Sequence, residues 1–451
     1  MPYEGEFASY DPLRRLVQSE RVKDLLDNYR VRSISESLNS LQILKPIQIQ
    51  PSTWKPKKLI AIDGSHAEVK IQNGFPGAEA AYITVASVIL DLEKMQELSK
   101  QRPINPTKFK KIQNAESIDC ALPGCNIVYE GEITAEASLR KAVFEVFKSN
   151  RMSKDGESLL DTYEALLKYK PDTERKQKCP YEDCPLSADY RKNQGKYNCS
   201  CVFNRSLYST DALRFHERMA PAGSNGAIFS EIMQTLERVW IIHILRTLEA
   251  KNWLSTLGRI AIVLDGPLAV FGQPAWISQA IIKELYRLNK LVLHVTGGKD
   301  ILLIGIEKTG QFVQHFEDLD HTSKDGKSSF PNQSVGLLTD SYIKQNIIFS
   351  EGTKVYGDAT YFGRKFLYKT KSGARLVANL PFLNEDHRDM DRAEVSQYPR
   401  LADAIRLLDE LVSSRFENAF TPLVLANAEA AIPLSLGNKV LENLAKDLIT
   451  E

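Results

Sequence analysis

Apolar residues recur at three- and four-residue steps over 11–31, where Leu13, Leu16, Val17, Leu25 and Tyr29 stand between charged positions and predict an amphipathic helix. Pro46, Pro51 and Pro56 then break any regular pattern, which predicts a linker. Leu59–Ile62 predicts a short strand ending at Asp63-Gly64-Ser65-His66. Tyr82–Leu90, rich in Val, Ile and Thr, predicts its neighbour. Helical composition covers 133–170. It returns at 227–251, where Ile228, Ile232, Leu236, Val239, Trp240, His243 and Ile244 share one face. Ile260–Leu264, apolar on both faces, predicts a buried central strand closing on Asp265-Gly266-Pro267. Further strands are expected at 291–296, 301–307 and 311–316, a hairpin at 364–380 turning at Ser372-Gly373, and helices near 391–416 and 438–449. Strands alternating with helices predict an α/β fold.

Composition narrows the function. With 451 residues the chain can bury a sizeable core, and 58 Lys+Arg against 57 Asp+Glu excludes a global basic field that would hold nucleic acid. The N-terminus MPYEGEFASYD lacks an apolar signal region, and the longest uncharged apolar stretch is about half a bilayer span. A soluble, cytoplasmic protein without a membrane partner is therefore expected.

Two segments share a layout, IAID-GS at 60–65 and IVLD-GP at 262–267: a hydrophobic strand delivers an aspartate to its C-terminal edge and a glycine turns the chain. If the strands are parallel neighbours, Asp63 and Asp265 converge where open α/β sheets place their sites. Two such carboxylates call for a hard divalent cation, Mg²⁺ or Mn²⁺. Asp-Gly is equally ordinary turn chemistry. In the 227–251 helix Glu237, beside the apolar stripe, is the better third carboxylate; Glu231 lies on a different face and Glu249 near the helix end.

Of six cysteines, Cys179, Cys184, Cys199 and Cys201 fall within one polar, basic segment. Four thiolates so placed suit a structural tetrahedral Zn²⁺, and an iron–sulfur cluster remains compatible with the spacing. Cys120 and Cys125 are expected to be free thiols. Residues 359–384 contain no acid and interleave Arg364, Lys365, Lys369, Lys371 and Arg375 with Tyr361, Phe362, Phe366 and Tyr368. That suits single-stranded nucleic acid, with cations on phosphates and rings on bases; an ordinary half-buried hairpin fits the alternation equally. Lys108–Lys111 is a weaker basic run.

The ordered set IAIDGSH, LERVWIIHILR, IVLDGPLAVFGQPA, IGIEKTGQF and TPLVLANAEAAI resembles the NurA nuclease family from about residue 55 to the end, in its longer bacterial form with a cysteine-bearing insertion before STDALRFHERM. The resemblance implies an RNase H-like (Piwi-like) mixed sheet flanked by helices and an inserted zinc-binding subdomain. The implied division is a helical region and linker at 1–54, a core at 55–170 and 226–451, and the insertion at 171–225. It also implies a Mn²⁺- or Mg²⁺-dependent deoxyribonuclease, a 5′–3′ exonuclease and/or endonuclease. The expected assembly is a homodimer working with a HerA-type hexameric ATPase in DNA end processing or phage defence.

Asp63 and Asp265 match the family's catalytic aspartates, Glu237 or Glu231 its helical glutamate, and Lys308 a position near phosphate. The family commonly ends its last motif in Ala-His; here Ala426-Asn427 stands instead, and Asn427 cannot act as a general acid. His66, beside Asp63, is an alternative. The departure leaves open a catalytically weakened DNA-binding or adaptor subunit. A phosphotransferase of the actin-like ATPase class is a further rival, against which stands the lack of a later Gly-rich phosphate motif.

Overall fold

A computed structural model describes residues 10–28, 44–71, 77–94, 113–171, 176–181, 183–189, 195–320, 329–412 and 421–431. The expected helix at 438–449 and the Lys108–Lys111 run lie outside them. Helices α1 (Asp11–Gln18) and α2 (Glu20–Asp27) divide the first predicted helix at Ser19, whose backbone is extended.

The core is a mixed sheet. Its strands are β1 (Ile47–Gln48), β2 (Lys58–Ile71), β3 (Ala78–Asp91), β4 (Gln113–Pro123), β9 (Ile260–Asp265), β10 (Leu303–Glu307), β11 (Ser334–Leu337), β12 (Gly363–Lys369) and β13 (Arg375–Pro381), in the order β1-β11-β12-β13-β10-β9-β2-β3-β4. Strand β9 runs parallel to both β2 and β10; the remaining neighbours are antiparallel. The numbers β5 (Lys176–Lys178), β6 (Ser187–Asp189), β7 (Lys196–Asn198) and β8 (Ser206–Tyr208) belong to two small hairpins in the cysteine-bearing segment.

Helices cover both faces. On one, α3 (Ala135–Ser149), α4 (Leu159–Leu167), α5 (Gly226–Ala250) and α6 (Ile277–Thr296) pack on Ile60, Ile62 and Leu264. On the other, α9 (Leu401–Leu411) and α10 (Thr421–Ala430) pack on Leu59, Ala61, Ala261 and Val263. Between them in sequence, α7 (Gln311–Leu319) and α8 (Asp340–Asn346) share a third cluster with Leu367 and Val377. Burying both faces of the central strands explains their unbroken apolar runs.

Three expectations change. Residues 291–296 are the last turns of α6, not a strand: Leu285, Leu288 and Val292 continue one buried helical stripe until Gly297, in the left-handed region, ends it. Residues 311–316 are helical as well, because Phe312 and Phe316, four apart, bury one face of α7. Finally, β2 does not stop at Ile62. Its pairing with β9 ends at Ile62↔Leu264, yet its pairing with β3 continues to Ile71↔Ala78. Asp63 therefore lies inside a strand, at the point where one neighbour turns away.

Candidate active site

Side-chain alternation sets the first two carboxylates. Asp63 and Asp265 follow the last paired residues of β2 and β9, and share the parity of Ala61 and Val263, so both project to the face that carries α9 and α10. Gly266 adopts φ +95°, a conformation open to glycine, and takes the chain off the sheet.

The third carboxylate arrives from the opposite face. Helix α5 carries Glu237, and it reaches the aspartates across Gly64, where a Cβ would stand 2.6 Å from Glu237 Oε1. The missing side chain is the opening that lets a helix on one face contribute to a site on the other. Asp63 accepts a 2.9 Å hydrogen bond from the Gly64 N–H through Oδ1, while its buried Oδ2 has no hydrogen-bond partner among the described residues.

The electrostatics follow. Burial, then Asp265, then Glu237 push the Asp63 carboxyl up to about 8, against the opposing pull of Lys308 and the Gly64 N–H. Burial pushes Glu237 up to about 7; Arg238 opposes this and Asp265 adds to it. Asp63 and Glu237, raised in this way and lining one cleft with Asp265, offer oxygen ligands of the kind a hard divalent cation takes.

Two cations already lean on the cluster. Lys308 Nζ pairs with Asp265 at 2.5 Å, with its side chain 34% exposed. Arg238 is buried and pairs with Glu237; it also donates to the carbonyls of Ala269 at 3.1 Å and Pro267 at 3.3 Å, which ties the turn after Asp265 to the helix that carries Glu237. The whole forms a cleft of about 650 Å³ that also takes in Glu307, Lys365 and Asn427. Asn427 reaches it from α10, whose Leu423 and Ala426 anchor in the core.

Other expected site residues lie elsewhere. Glu231 pairs with Arg218 and accepts the Gln273 N–H at 2.8 Å, so it fastens a loop and does not line the cleft. His66 stands 3.8 Å from Glu68, outside the cleft lining. The basic hairpin forms as expected, but its cations mostly face inward. Arg364 is 1% exposed and donates to the carbonyls of Asp389 and Leu338. Lys365 is buried against Glu307 at 2.8 Å, and Lys369 against Asp320 at 2.8 Å. Arg375 also approaches Asp320, at 3.7 Å, while Lys371 is exposed. Arg364 and Lys369 are therefore held in buried hydrogen bonds and an ion pair and do not form an outer phosphate-tracking surface, whereas Lys365, buried against Glu307, still lines the cleft. The acid-free stretch misled because its counter-charges come from other elements.

Two charged cleft residues escaped the sequence reading. Glu307 ends an apolar strand as Asp265 does, and IGIE repeats the pattern of IAID and IVLD; it accepts hydrogen bonds from Lys365 and from Asn379, each at 2.8 Å. Arg238 had no signal beyond standing next to Glu237.

At a distance from the cleft, Cys179, Cys184 and Cys199 are buried with their sulfurs within 4.8 Å of one another, and Cys201 packs against them. The Cys179–Cys199 and Cys184–Cys199 sulfurs are 3.8 and 3.7 Å apart. That is too long for a disulfide, and it matches the edge of a tetrahedron with Zn–S bonds of about 2.3 Å, roughly 3.8 Å. Tyr208 through Met219, following the hairpins, joins the main core.

Among solved structures, the chain is similar to the NurA nuclease from Sulfolobus solfataricus (10% identity, 98% of this chain and 96% of that one, TM-score 0.36). It is also similar to a NurA with manganese (10% identity, 96% and 98%, TM-score 0.24). Similarity at this level carries no argument of its own. No curated protein matches the chain. The NurA domain model, however, matches residues 57–414, most of the sequence and all three clustered carboxylates, and the chain belongs to the NurA domain family.

Proposed function

We propose that this chain is a Mn²⁺- or Mg²⁺-dependent deoxyribonuclease. Membership of a nuclease family points to phosphodiester hydrolysis, and the observation that carries the metal is the Oδ2 of Asp63, buried without a hydrogen-bond partner among the described residues, in a cleft it shares with Glu237 and Asp265. Asp63, Glu237 and Asp265 would hold the cation. When bound, a divalent ion supplies activation of water and neutralisation of charge developing on the phosphoryl group. The chain's own residues do the rest. Asp63 and Glu237 give up their protons to become ligands, Arg238 keeps Glu237 in register with the Asp265 turn, and Lys308 offers a partly exposed ammonium for a substrate phosphate. Asn427 can hydrogen-bond at the cleft wall but cannot protonate a leaving group.

The wider reading follows from the family. The sheet is an RNase H-like core at 55–170 and 226–451, with an insertion at 171–225 stapled by a structural Zn²⁺ on Cys179, Cys184, Cys199 and Cys201. The protein works in the cytoplasm on DNA, as a 5′–3′ exonuclease and/or endonuclease and as a homodimer with a HerA-type hexameric ATPase, in end processing or phage defence. Among the described residues, no helix is long and apolar enough to cross a membrane.

The test is cleavage of linear DNA by the purified protein over a Mn²⁺ titration. Asp63→Asn should abolish it, on the order of a thousandfold or more, with DNA binding retained. Full activity in that variant would sink the assignment. Asn427 in the cleft favours one alternative, an adaptor subunit with weakened chemistry; wild-type protein that binds DNA yet never cleaves it at any Mn²⁺ concentration would support that reading.

A further inference from the structure

We propose that Phe271 is a base-stacking residue of the cleft, the platform on which one unpaired nucleobase of the substrate rests. This rests on the nuclease reading and adds a residue that holds the substrate.

Four aromatic residues line the cleft: Phe271, Phe312, Tyr356 and Tyr361. Phe312 and Tyr361 are buried and Tyr356 is half-buried, whereas Phe271 is 40% exposed. Its ring meets that of Tyr361 edge to face, with centroids 5.6 Å apart. Isolated exposed apolar residues are common on protein surfaces and need no explanation. Phe271 differs because it is displayed by a rigid loop beside the three carboxylates.

The loop is fastened on both sides of the ring. Before it, Arg238 holds the Pro267 and Ala269 carbonyls, and the Val270 N–H donates to Thr360 O at 2.9 Å and to Ser278 Oγ at 3.2 Å. After it, Gly272 turns with φ +73° and the Gln273 N–H donates to Glu231, itself locked by Arg218. Leu268, Ala269 and Val270 are buried, so the backbone is committed to the core on one side while the next side chain points out. Ordering such a loop in advance removes the entropy cost of fixing an aromatic platform at binding. Glu231, which holds no place in the cleft, thereby has a role: it fixes the loop that presents the ring.

A flat aromatic face beside a site for phosphates is the arrangement that binds an unpaired nucleobase; stacking tolerates any base and needs no hydrogen-bond pattern. A base inside a duplex has both faces covered by its neighbours and cannot use it.

The experiment measures fluorescence anisotropy of labelled oligothymidylate, an abasic strand of the same length and a blunt duplex, all in an Asp63→Asn background so that the DNA stays intact. Phe271→Ala should weaken oligothymidylate binding about tenfold, Phe271→Trp should retain it, and neither should change the abasic strand or the duplex. Phe271→Leu keeps the volume and loses the ring, so it should behave as the alanine variant; thermal melting of each variant checks the fold, and the leucine result decides if the alanine variant does not fold. An equal loss on abasic and thymidine strands, or no loss on either, overturns the proposal. Cleavage by the wild type is a separate readout, so a protein that stacks bases but never cuts would refute the nuclease reading and leave this one standing.

Discussion

Gly64 and Glu237 show how a single missing side chain can join two faces of a sheet. Any residue but glycine at 64 would place a Cβ 2.6 Å from the Glu237 carboxylate, and the third acid would be shut out of the cluster. The resulting crowding has a measurable pH signature. Asp63 near 8 and Glu237 near 7 bind protons that the unfolded chain, with ordinary values of 3.8 and 4.5, has already released. Because the folded state holds more protons, stability falls as pH rises through that window and is greatest on its acid side. In chelator, the part of the melting temperature owed to these two groups should therefore drop between about pH 4 and about pH 8, by the equivalent of a few kcal/mol, and Asp63→Asn should flatten much of the slope. Saturating Mn²⁺ should oppose the drop, since the cation takes the place of the protons. An unchanged slope in the Asp63→Asn protein would show that the cluster is not its source.

At the scale of elements, the β12–β13 hairpin carries the clearest lesson. Its turn and strands were readable from alternation and Ser372-Gly373, but the direction of its lysines was not. Strand β12 lies between β11 and β13, and all seven of its residues are buried, so Lys369 must find its acid inside and takes Asp320 from the segment after α7. Removing one partner of a buried pair strands the other charge, at about 3–5 kcal/mol. Lys369→Met should thus lower stability to denaturant by about 3 kcal/mol and leave the DNA affinity of the folded protein unchanged. Weaker DNA binding at full stability would return Lys369 to the binding surface. The helices mistaken for strands have a related cause: five or six apolar residues fit either period, and only Phe312 and Phe316 burying together, or Val292 extending the stripe of α6, decides for the helix.

Across the whole molecule, the cysteine segment forms its own small cluster around Cys179, Cys184, Cys199 and Leu207, apart from the main core. So few apolar residues offer little stabilisation by burial, which is where a metal contributes most. Purified protein should contain about one zinc per chain, and Cys199→Ser should lose it. The variant should become protease-sensitive within 176–208, while Mn²⁺ still binds at Asp63, Glu237 and Asp265. Visible absorbance typical of an iron–sulfur cluster, or no metal at all in fresh protein, would refute zinc. The buried Arg140–Asp211 pair, at 2.7 Å, sits where this segment rejoins the core and limits how far its loosening can spread.

Local pattern alone determined the α/β alternation, the two apolar runs that lead into Asp63 and Asp265, the grouping of the cysteines and the motif order that marks the family, because each depends on neighbours a few residues apart. Tertiary structure decided which charges face the cleft. Asp63 meets Asp265 only through the parallel register of β2 and β9, Glu237 only through the gap at Gly64, and Arg364, Lys365 and Lys369 turn inward only because partners distant in sequence cover them. Hydrophobic period is written along the chain, whereas the pairing of charges is settled by what the folded chain brings alongside them.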